Sequence, residues 1–194
     1  MRDIIKTETK YAVSCGRFRG KQTGGCIVML TFEKVQTSAD ITECAALAAE
    51  IWNQHFSAIL SQEQIDYMVS KFQSERALRQ QIDMKGYSYY FFTVDGCRVG
   101  YFGICPQKDK TMFLSKIYMK KAYRGNGYAT KGFAFIQELA RELGCSKIWL
   151  TVNRYNEDSI AVYEHWGMKQ SGVHTKEIGQ GFIMDDYVYS YPLT

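Results

Sequence analysis

Between residues 122 and 129 the chain reads AYRGNGYA, in which Arg124, Gly127 and Ala129 fit the pattern R-x-x-G-x-A. Glycines at 125 and 127 let backbone N–H groups come close to an anion, and a helix beginning there adds its unsatisfied donors and the positive end of its dipole. That combination is a cradle for a diphosphate; the plain alternative is a surface turn from a strand into a helix with convenient glycines. The kinase-type loop G-x-x-x-x-G-K-[ST] is absent. Further along comes LTVNRYNEDSIAVYEHWGM, which sets Asn156, Ser159, Tyr163 and Gly167-Met168 on a strand and the short helix after it. Asn156 and Ser159 also suit a helix cap, and Tyr163 shares a helical face with Ile160 and Gly167, as a core tyrosine would. The 3 histidines are scattered and H-E-x-x-H is absent, so no metal mechanism is indicated.

These segments need elements to hold them. LTFEKVQ, after Met29, reads as a first strand. Asp40 and Glu43 make a D-x-x-E cap for a helix carrying Leu47, Ile51 and Phe56. Ser61 and Gln64 repeat that signature before a second helix with Ile65, Met68, Val69 and Phe72 on one stripe; the pattern continues through Leu78 to Ile82, and Gly86 ends it. YSYYFFTV and RVGYFGIC flank Asp95-Gly96, the sequence of a type I′ hairpin, and TMFLSKIYMKK supplies a further strand. GYATKGFAFIQELAREL is apolar at 129, 133, 136, 139 and 143, an amphipathic helix closed by Gly144. SKIWLTV reads as a strand covered on both faces, EDSIAVYEHW as a short helix stopped by Gly167, and MKQSGVHT with FIMDDYVYSYPL as an antiparallel pair around EIGQG. The order β-α-α-β-β-β-α-β-α-β-β implies an α/β fold with a mixed sheet and helices on its faces.

With 194 residues, 46% of them apolar, and 2 Pro, the composition is that of an ordinary globular domain. No apolar run approaches the roughly 20 residues that cross a bilayer, and MRDIIKTETK lacks the apolar centre of a secretory signal, so a cytoplasmic location is expected. The 6 cysteines show neither C-x-x-C pairs nor zinc spacing and read as reduced packing residues. Residues 1–28 hold Arg2, Lys6, Lys10, Arg17, Arg19 and Lys21 against Asp3 and Glu8, which is the whole net charge of +4. From Met29 onward 18 basic residues meet 18 acidic ones, giving no net electrostatic reason to bind nucleic acid or an anionic membrane. The first 28 residues, aperiodic and with Gly16, Gly20, Gly24 and Gly25, read as a basic flexible extension. Either it is a docking arm or it lies upstream of a natural start at Met29; residues 29–194 form the single domain.

The two motifs, in this order and at this separation, make the half from about Thr111 to Pro192 resemble the GNAT acyltransferase superfamily. Its members carry strand-[RQ]-x-x-G-x-[GA]-helix followed by strand-N-x-x-[AS]-x-x-x-Y-x-x-x-G-[FM]. The upstream order of elements extends the resemblance over nearly all of residues 29–194. It implies a mostly antiparallel, twisted GNAT-like sheet with helices on both faces, and acetyl-CoA as acyl-donor cosubstrate with no metal. Arg124, Gly125, Asn126, Gly127, Tyr128 and Ala129 would hold its diphosphate. Ile117, Tyr118 and Met119 would pair their backbone with the pantetheine arm, as an open strand accepts an added neighbour. Asn156 and Ser159 match positions that face the cofactor, and Tyr163 matches the general acid that protonates the departing thiolate. A phenol of pKa about 10 is still protonated when a thiolate of pKa about 8.5 is released.

The implied reaction is direct acetyl transfer to a primary amine, first of all of a small molecule such as a polyamine; an amino acid, an antibiotic amine or a protein amino terminus are other acceptors of the same class. A backbone N–H near Tyr118 or Met119 would stabilise the oxyanion. An amine of pKa near 10 is only about 0.1% neutral at pH 7, so a base must help, yet FLSKIYM holds no acid where some relatives place one. His55, near the turn between the first two helices, is a candidate base or simply a partly buried histidine, while His165 points elsewhere. The block Tyr87 to Phe92 lines an acceptor pocket or packs the core. Lys116, Lys120 and Lys121 guide phosphates or are merely solvated. Asp185 and Asp186 sit beside a cationic acceptor or protect an edge strand. Two other classes stay open: a non-catalytic acyl-CoA sensor or partner-docking module on the same fold, and nucleic-acid binding through the basic tail. The oligomeric state, a homodimer included, is open too.

Overall fold

A computed structural model describes residues 8–14 and 27–193. Arg2, Lys6, Arg17, Arg19, Lys21 and the four glycines of the basic segment lie outside the described residues. The elements are β1 (Glu8–Ser14), β2 (Ile27–Lys34), α1 (Ser38–Phe56), α2 (Gln62–Phe72), α3 (Glu75–Lys85), β3 (Ser88–Val94), β4 (Cys97–Pro106) and β5 (Thr111–Met119). A 3-10 turn (Lys121–Tyr123), α4 (Tyr128–Glu142), β6 (Lys147–Asn153), α5 (Glu157–His165), β7 (Lys169–Gly179) and β8 (Phe182–Pro192) follow. All eight strands form one sheet in the order β1-β2-β3-β4-β5-β6-β8-β7. Every neighbouring pair is antiparallel except β5 and β6, which run parallel.

That parallel pair is short. Only Thr111, Met112 and Phe113 of β5 face Lys147, Ile148 and Trp149 of β6. Beyond them β5 stays paired to β4 as far as Met119, while β6 continues against β8. The sheet therefore splays, and the second half of β5 has one edge that no strand covers.

Alternation along the strands sends apolar side chains to both faces. On one face Phe133, Phe135, Ile136 and Leu139 of α4 pack against Phe32, Phe92, Phe102, Leu114 and Leu150. On the other, α1, α2 and α3 bury Ile51, Leu78, Trp52 and Ile65 against Tyr89, Phe91, Tyr101 and Ile178. Tyr89, Tyr90, Phe91 and Phe92 are all 0% exposed, so the aromatic block of β3 is core on both faces. The hairpin turns follow the sequence: Asp95 and Gly96 have φ of 48° and 81°, and Gln180 and Gly181 have 54° and 78°.

The structure departs from the sequence reading in several places. One strand, β1, falls in the segment read as an extension and pairs with β2. There are three helices, not two, between the first pair of core strands: Gln73 leaves helical geometry, and the Ser74 hydroxyl accepts from Ala77 N to start α3. The α1 cap is Thr37 with Asp40, a reciprocal capping box. Glu43 instead pairs with Arg98 at 2.6 Å, and Asp40 also meets Arg98 at 2.9 Å, tying α1 to β4. β6 is not covered on both faces. Ile148, Leu150 and Val152 are buried, but Trp149 and Thr151 are only partly so, because Trp149 lines an open groove with Val188 and Ser190. The described cysteines, Cys44, Cys97, Cys105 and Cys145, are unpaired, and all but Cys97 are buried. No helix among the described residues is long and apolar enough to cross a membrane.

Gly132 shows how closely α4 lies on the sheet. A Cβ there would come within 2.5 Å of the Phe92 ring. Gly132→Ala therefore tests packing against propensity: alanine favours the helix by about 1 kcal/mol, whereas overpacking costs roughly 1–3 kcal/mol. We expect net destabilisation in urea unfolding; a more stable variant would show that Phe92 moves freely.

Candidate active site

The splay opens into a cleft of about 310 Å³ at the end of β5. Ile117, Tyr118 and Met119 form one wall, Gly125, Gly127, Tyr128 and Ala129 the loop side, and Ser159 and Tyr163 of α5 the other. Arg124 lines it as well. Sequence candidates from three separate segments thus converge.

The loop is shaped by its glycines. Gly125 and Gly127 have φ of 77° and 76°, a region costly for other residues, and a Cβ on either would meet nothing within 4 Å. Gly127 is the N-cap of α4 and brings no side chain to it. Thr37, Ser61, Ser74 and Asn156 cap α1, α2, α3 and α5 with side-chain oxygens, and each of those helices has an acid in its first turn; α4 has neither. Its first N–H groups and dipole end are left to whatever occupies the cleft, which suits a phosphate group. Asn126 works from outside: its amide donates to the carbonyls of Tyr123 at 3.1 Å and Arg124 at 3.3 Å, bracing the turn, and its side chain does not line the cleft.

Arg124 Nε donates to the Met119 carbonyl at 2.9 Å, closing that backbone acceptor. Its Nη1 lies 3.4 Å from His55 Nδ1, and the other ring nitrogen lies 3.1 Å from Asn156 Nδ2. Burial and the Arg124 charge hold the His55 pKa below its ordinary value. A ring between a guanidinium and an amide nitrogen is better suited to wedging α1 against the loop than to collecting a proton. Asn156 is 5% exposed and does double duty, its Oδ1 accepting from Ser159 N as the α5 cap. It stands behind the cleft, not in its lining.

Tyr163 and Tyr118 meet the cleft from opposite sides, and no hydrogen bond from the described residues reaches either phenol oxygen. Burial pushes both pKa values up; at Tyr118 the nearby Tyr163 and Asp186 add to the effect. Both phenols therefore stay protonated across the physiological range.

The lysines do not act together. Lys116, 7% exposed, points to the α3 side, where its Nζ donates to Tyr89 at 2.6 Å and Gln81 at 2.9 Å; burial lowers its pKa to about 7. Lys120 pairs with Glu50 at 2.8 Å, and Lys121 is exposed in the 3-10 turn. Among the described residues no three His, Cys, Asp or Glu side chains gather as a metal site would require. Trp166 also lines the cleft, stacked on Phe133 and donating from Nε1 to Thr130 at 3.1 Å. Sequence reading passed over it, although Ser159, Tyr163 and Trp166 fall at i, i+4 and i+7, one helical stripe.

Known proteins are similar to this chain in sequence and in fold. A family model described as the acetyltransferase (GNAT) family matches residues 48–168. An uncharacterized N-acetyltransferase of Lactobacillus delbrueckii subsp. lactis is 26% identical over 147 residues, covering 72% of this chain and 85% of that one. The thialysine N-epsilon-acetyltransferase of Bos taurus is 33% identical over 75 residues, 38% of this chain and 44% of that one. In structure, the chain is similar to the PaiA N-acetyltransferase of Thermoplasma acidophilum in complex with coenzyme A, with a TM-score of 0.65 at 16% identity, over 83% of this chain and 98% of that one.

Replacing Gly125 and Gly127 together by Ala tests the loop. Open space around both positions limits the folding cost to roughly 1–2 kcal/mol per residue for the left-handed backbone. Coenzyme A titrated calorimetrically should bind at least about tenfold more weakly. Unchanged affinity would mean that the α4 terminus does not hold the diphosphate.

Proposed function

The chain belongs to the acetyltransferase (GNAT) family of acetyl-CoA-dependent N-acetyltransferases, and we propose that it acetylates a primary amine of a small cationic molecule, with Tyr163 as the general acid. The observation that carries this reading is the uncapped start of α4, reached through two left-handed glycines, at the foot of a strand with one uncovered edge. The residues fit the cosubstrate: the space beside Gly125 and Gly127 is open, so a diphosphate can approach the backbone, and the bare edge of β5 suits an extended, amide-bearing arm. Gly125, Gly127, Tyr128 and Ala129 hold the diphosphate with Arg124 beside it, and Ile117 and Tyr118 take the arm. Asn156 and Asn126 act as supports, the first through His55 and α5, the second within the loop.

The thioester supplies an activated acetyl carbonyl. The chain binds it, orients it and manages protons. The lone pair of the neutral amine forms the C–N bond, the C–S bond breaks, the Tyr163 phenol gives its proton to sulfur, and the proton shed by nitrogen passes through water to restore the phenol. A phenol made less acidic by burial is a reluctant donor to a thiolate in water. The same desolvation also raises the affinity of the thiolate for a proton, so the transfer stays close to balanced. A backbone N–H of Tyr118 or Met119 receives the oxyanion.

A polyamine or thialysine-like amine is the proposed acceptor class. The name of the bovine relative supports it. The catalytic unit is the part of the sheet from β2 to β8 with its helices. β1 lies four strands from β5 in the sheet order. The cytoplasm, with its acetyl-CoA and its reducing thiols, is the setting this reading calls for.

Free thiol release from acetyl-CoA across a panel of polyamines, thialysine and amino sugars tests transfer and acceptor together. Tyr163→Phe should lower kcat by roughly 10²–10⁴-fold while leaving coenzyme A affinity unchanged. A variant with full turnover would remove Tyr163 from the chemistry, and a silent wild-type protein that still binds coenzyme A would mark a sensor.

A further inference from the structure

The ring of His55 meets two nitrogen donors, and an imidazole has at most one acceptor nitrogen to offer them. His55 stands in the last turn of α1 and lines the cleft together with Gly125 and Gly127. Its Nδ1 lies 3.4 Å from Arg124 Nη1 and its Nε2 lies 3.1 Å from Asn156 Nδ2. A guanidinium only donates. The Asn156 amide cannot turn over without loss, because its Oδ1 accepts from Ser159 N to cap α5, so its nitrogen is what it offers the ring. Burial and then the Arg124 charge lower the His55 pKa, against the opposing effects of Asp158 and the Asn156 bond. Near neutral pH the ring therefore carries one N–H and one acceptor nitrogen.

Burial also decides which nitrogen accepts. Asn156 is 5% exposed, and a buried amide N–H needs a partner within the protein. Arg124 is exposed and can turn its other N–H groups to water. Nε2 is thus the acceptor, and the hydrogen sits on Nδ1, aimed at Arg124. Two donors, one from α1 and one from the phosphate loop, face each other across 3.4 Å. A single anionic oxygen about 2.8 Å from each nitrogen satisfies both.

We infer that His55 Nδ1–H and Arg124 together hold one oxygen of the cosubstrate's diphosphate, which makes α1 a part of the cosubstrate site. This rests on the acetyl-transfer reading and deepens it. The diphosphate is the matching group because the glycine loop and the bare start of α4 border the same cleft. The end of α1 also carries Trp52 and Phe56, whose rings pack on Tyr118 with centroids 5.5 and 6.0 Å away. A cosubstrate gripped through His55 therefore steadies the Tyr118 wall as well.

Two substitutions separate this role from a purely structural wedge. Asparagine can place an amide N–H where Nδ1–H stood, while glutamine can place an amide oxygen where Nε2 stood. The first keeps the donor and loses the Asn156 bond; the second keeps that bond and loses the donor. Coenzyme A and 3′-dephospho-coenzyme A are titrated calorimetrically into wild type, His55→Asn and His55→Gln, and pantetheine, which has no phosphate, is measured by competition. His55→Gln should bind both nucleotides at least about tenfold more weakly, His55→Asn should recover most of that loss, and pantetheine should bind all three proteins alike. Wild-type affinity in His55→Gln, or weaker binding by His55→Asn than by His55→Gln, overturns the inference. A loss confined to coenzyme A would move the contact to the 3′-phosphate and overturn it too. The ring nitrogens of free wild-type protein give an independent check: nuclear magnetic resonance should find the hydrogen on Nδ1, and an Nε2–H form contradicts the assignment. Coenzyme A uptake that ignores His55 would leave acetyl transfer standing, whereas no uptake by wild type would overturn both.

Discussion

The parting of β5 from β6 is the constraint around which the rest is arranged. A strand paired on one side only carries N–H and C=O groups that require partners, and water or another extended chain must supply them. Here the pairing stops at Phe113 and Trp149, and six residues of β5 run on with β4 alone. The core tolerates this because side chains do not need the missing ladder. Leu114 and Ile117 pack towards α4, Tyr118 packs towards α1, and the gap remains a matter of backbone alone.

Electrostatics divides the space around that gap. At the mouth, the bare helix terminus of α4 and the Arg124 guanidinium favour negative charge. In the middle lie two phenols whose pKa values burial raises, and burial with the Arg124 charge lowers the His55 pKa. Asp186 is buried on β8, and burial raises its pKa. Lys116, buried and with its pKa lowered to about 7, serves the scaffold by joining β5 to Gln81 of α3 and Tyr89 of β3, so its nearness in sequence to Ile117 gives it no place in the cleft.

Much of this could be read in the chain. The turn residues Asp95-Gly96, Gly144 and Gly167 marked ends correctly because a positive φ is a local demand that few residues meet. The periodicity of α4 gave its buried face for the same reason. The break between α2 and α3 escaped because Gln73 interrupts no apolar stripe; only the Ser74 cap, which competes locally for backbone donors, reveals it. β1 escaped because a strand at the edge of a sheet needs no alternation of its own when its partner β2 carries the core. SKIWLTV misled because Trp149 on its outer row lines a groove, and composition cannot distinguish a covered face from an open one.

By itself the sequence determined the glycine loop, the helix it opens and the order of elements from β3 onward, since these follow from local geometry and short-range spacing. Which side chains share the cleft was decided by the tertiary structure. His55 and Asn156 lie 101 residues apart and touch, while Lys116 and Ile117 are adjacent and face opposite sides of the sheet. Whether Asp186 lies at an exposed edge or in the interior depends on β8 inserting between β6 and β7, a long-range pairing that no local pattern encodes.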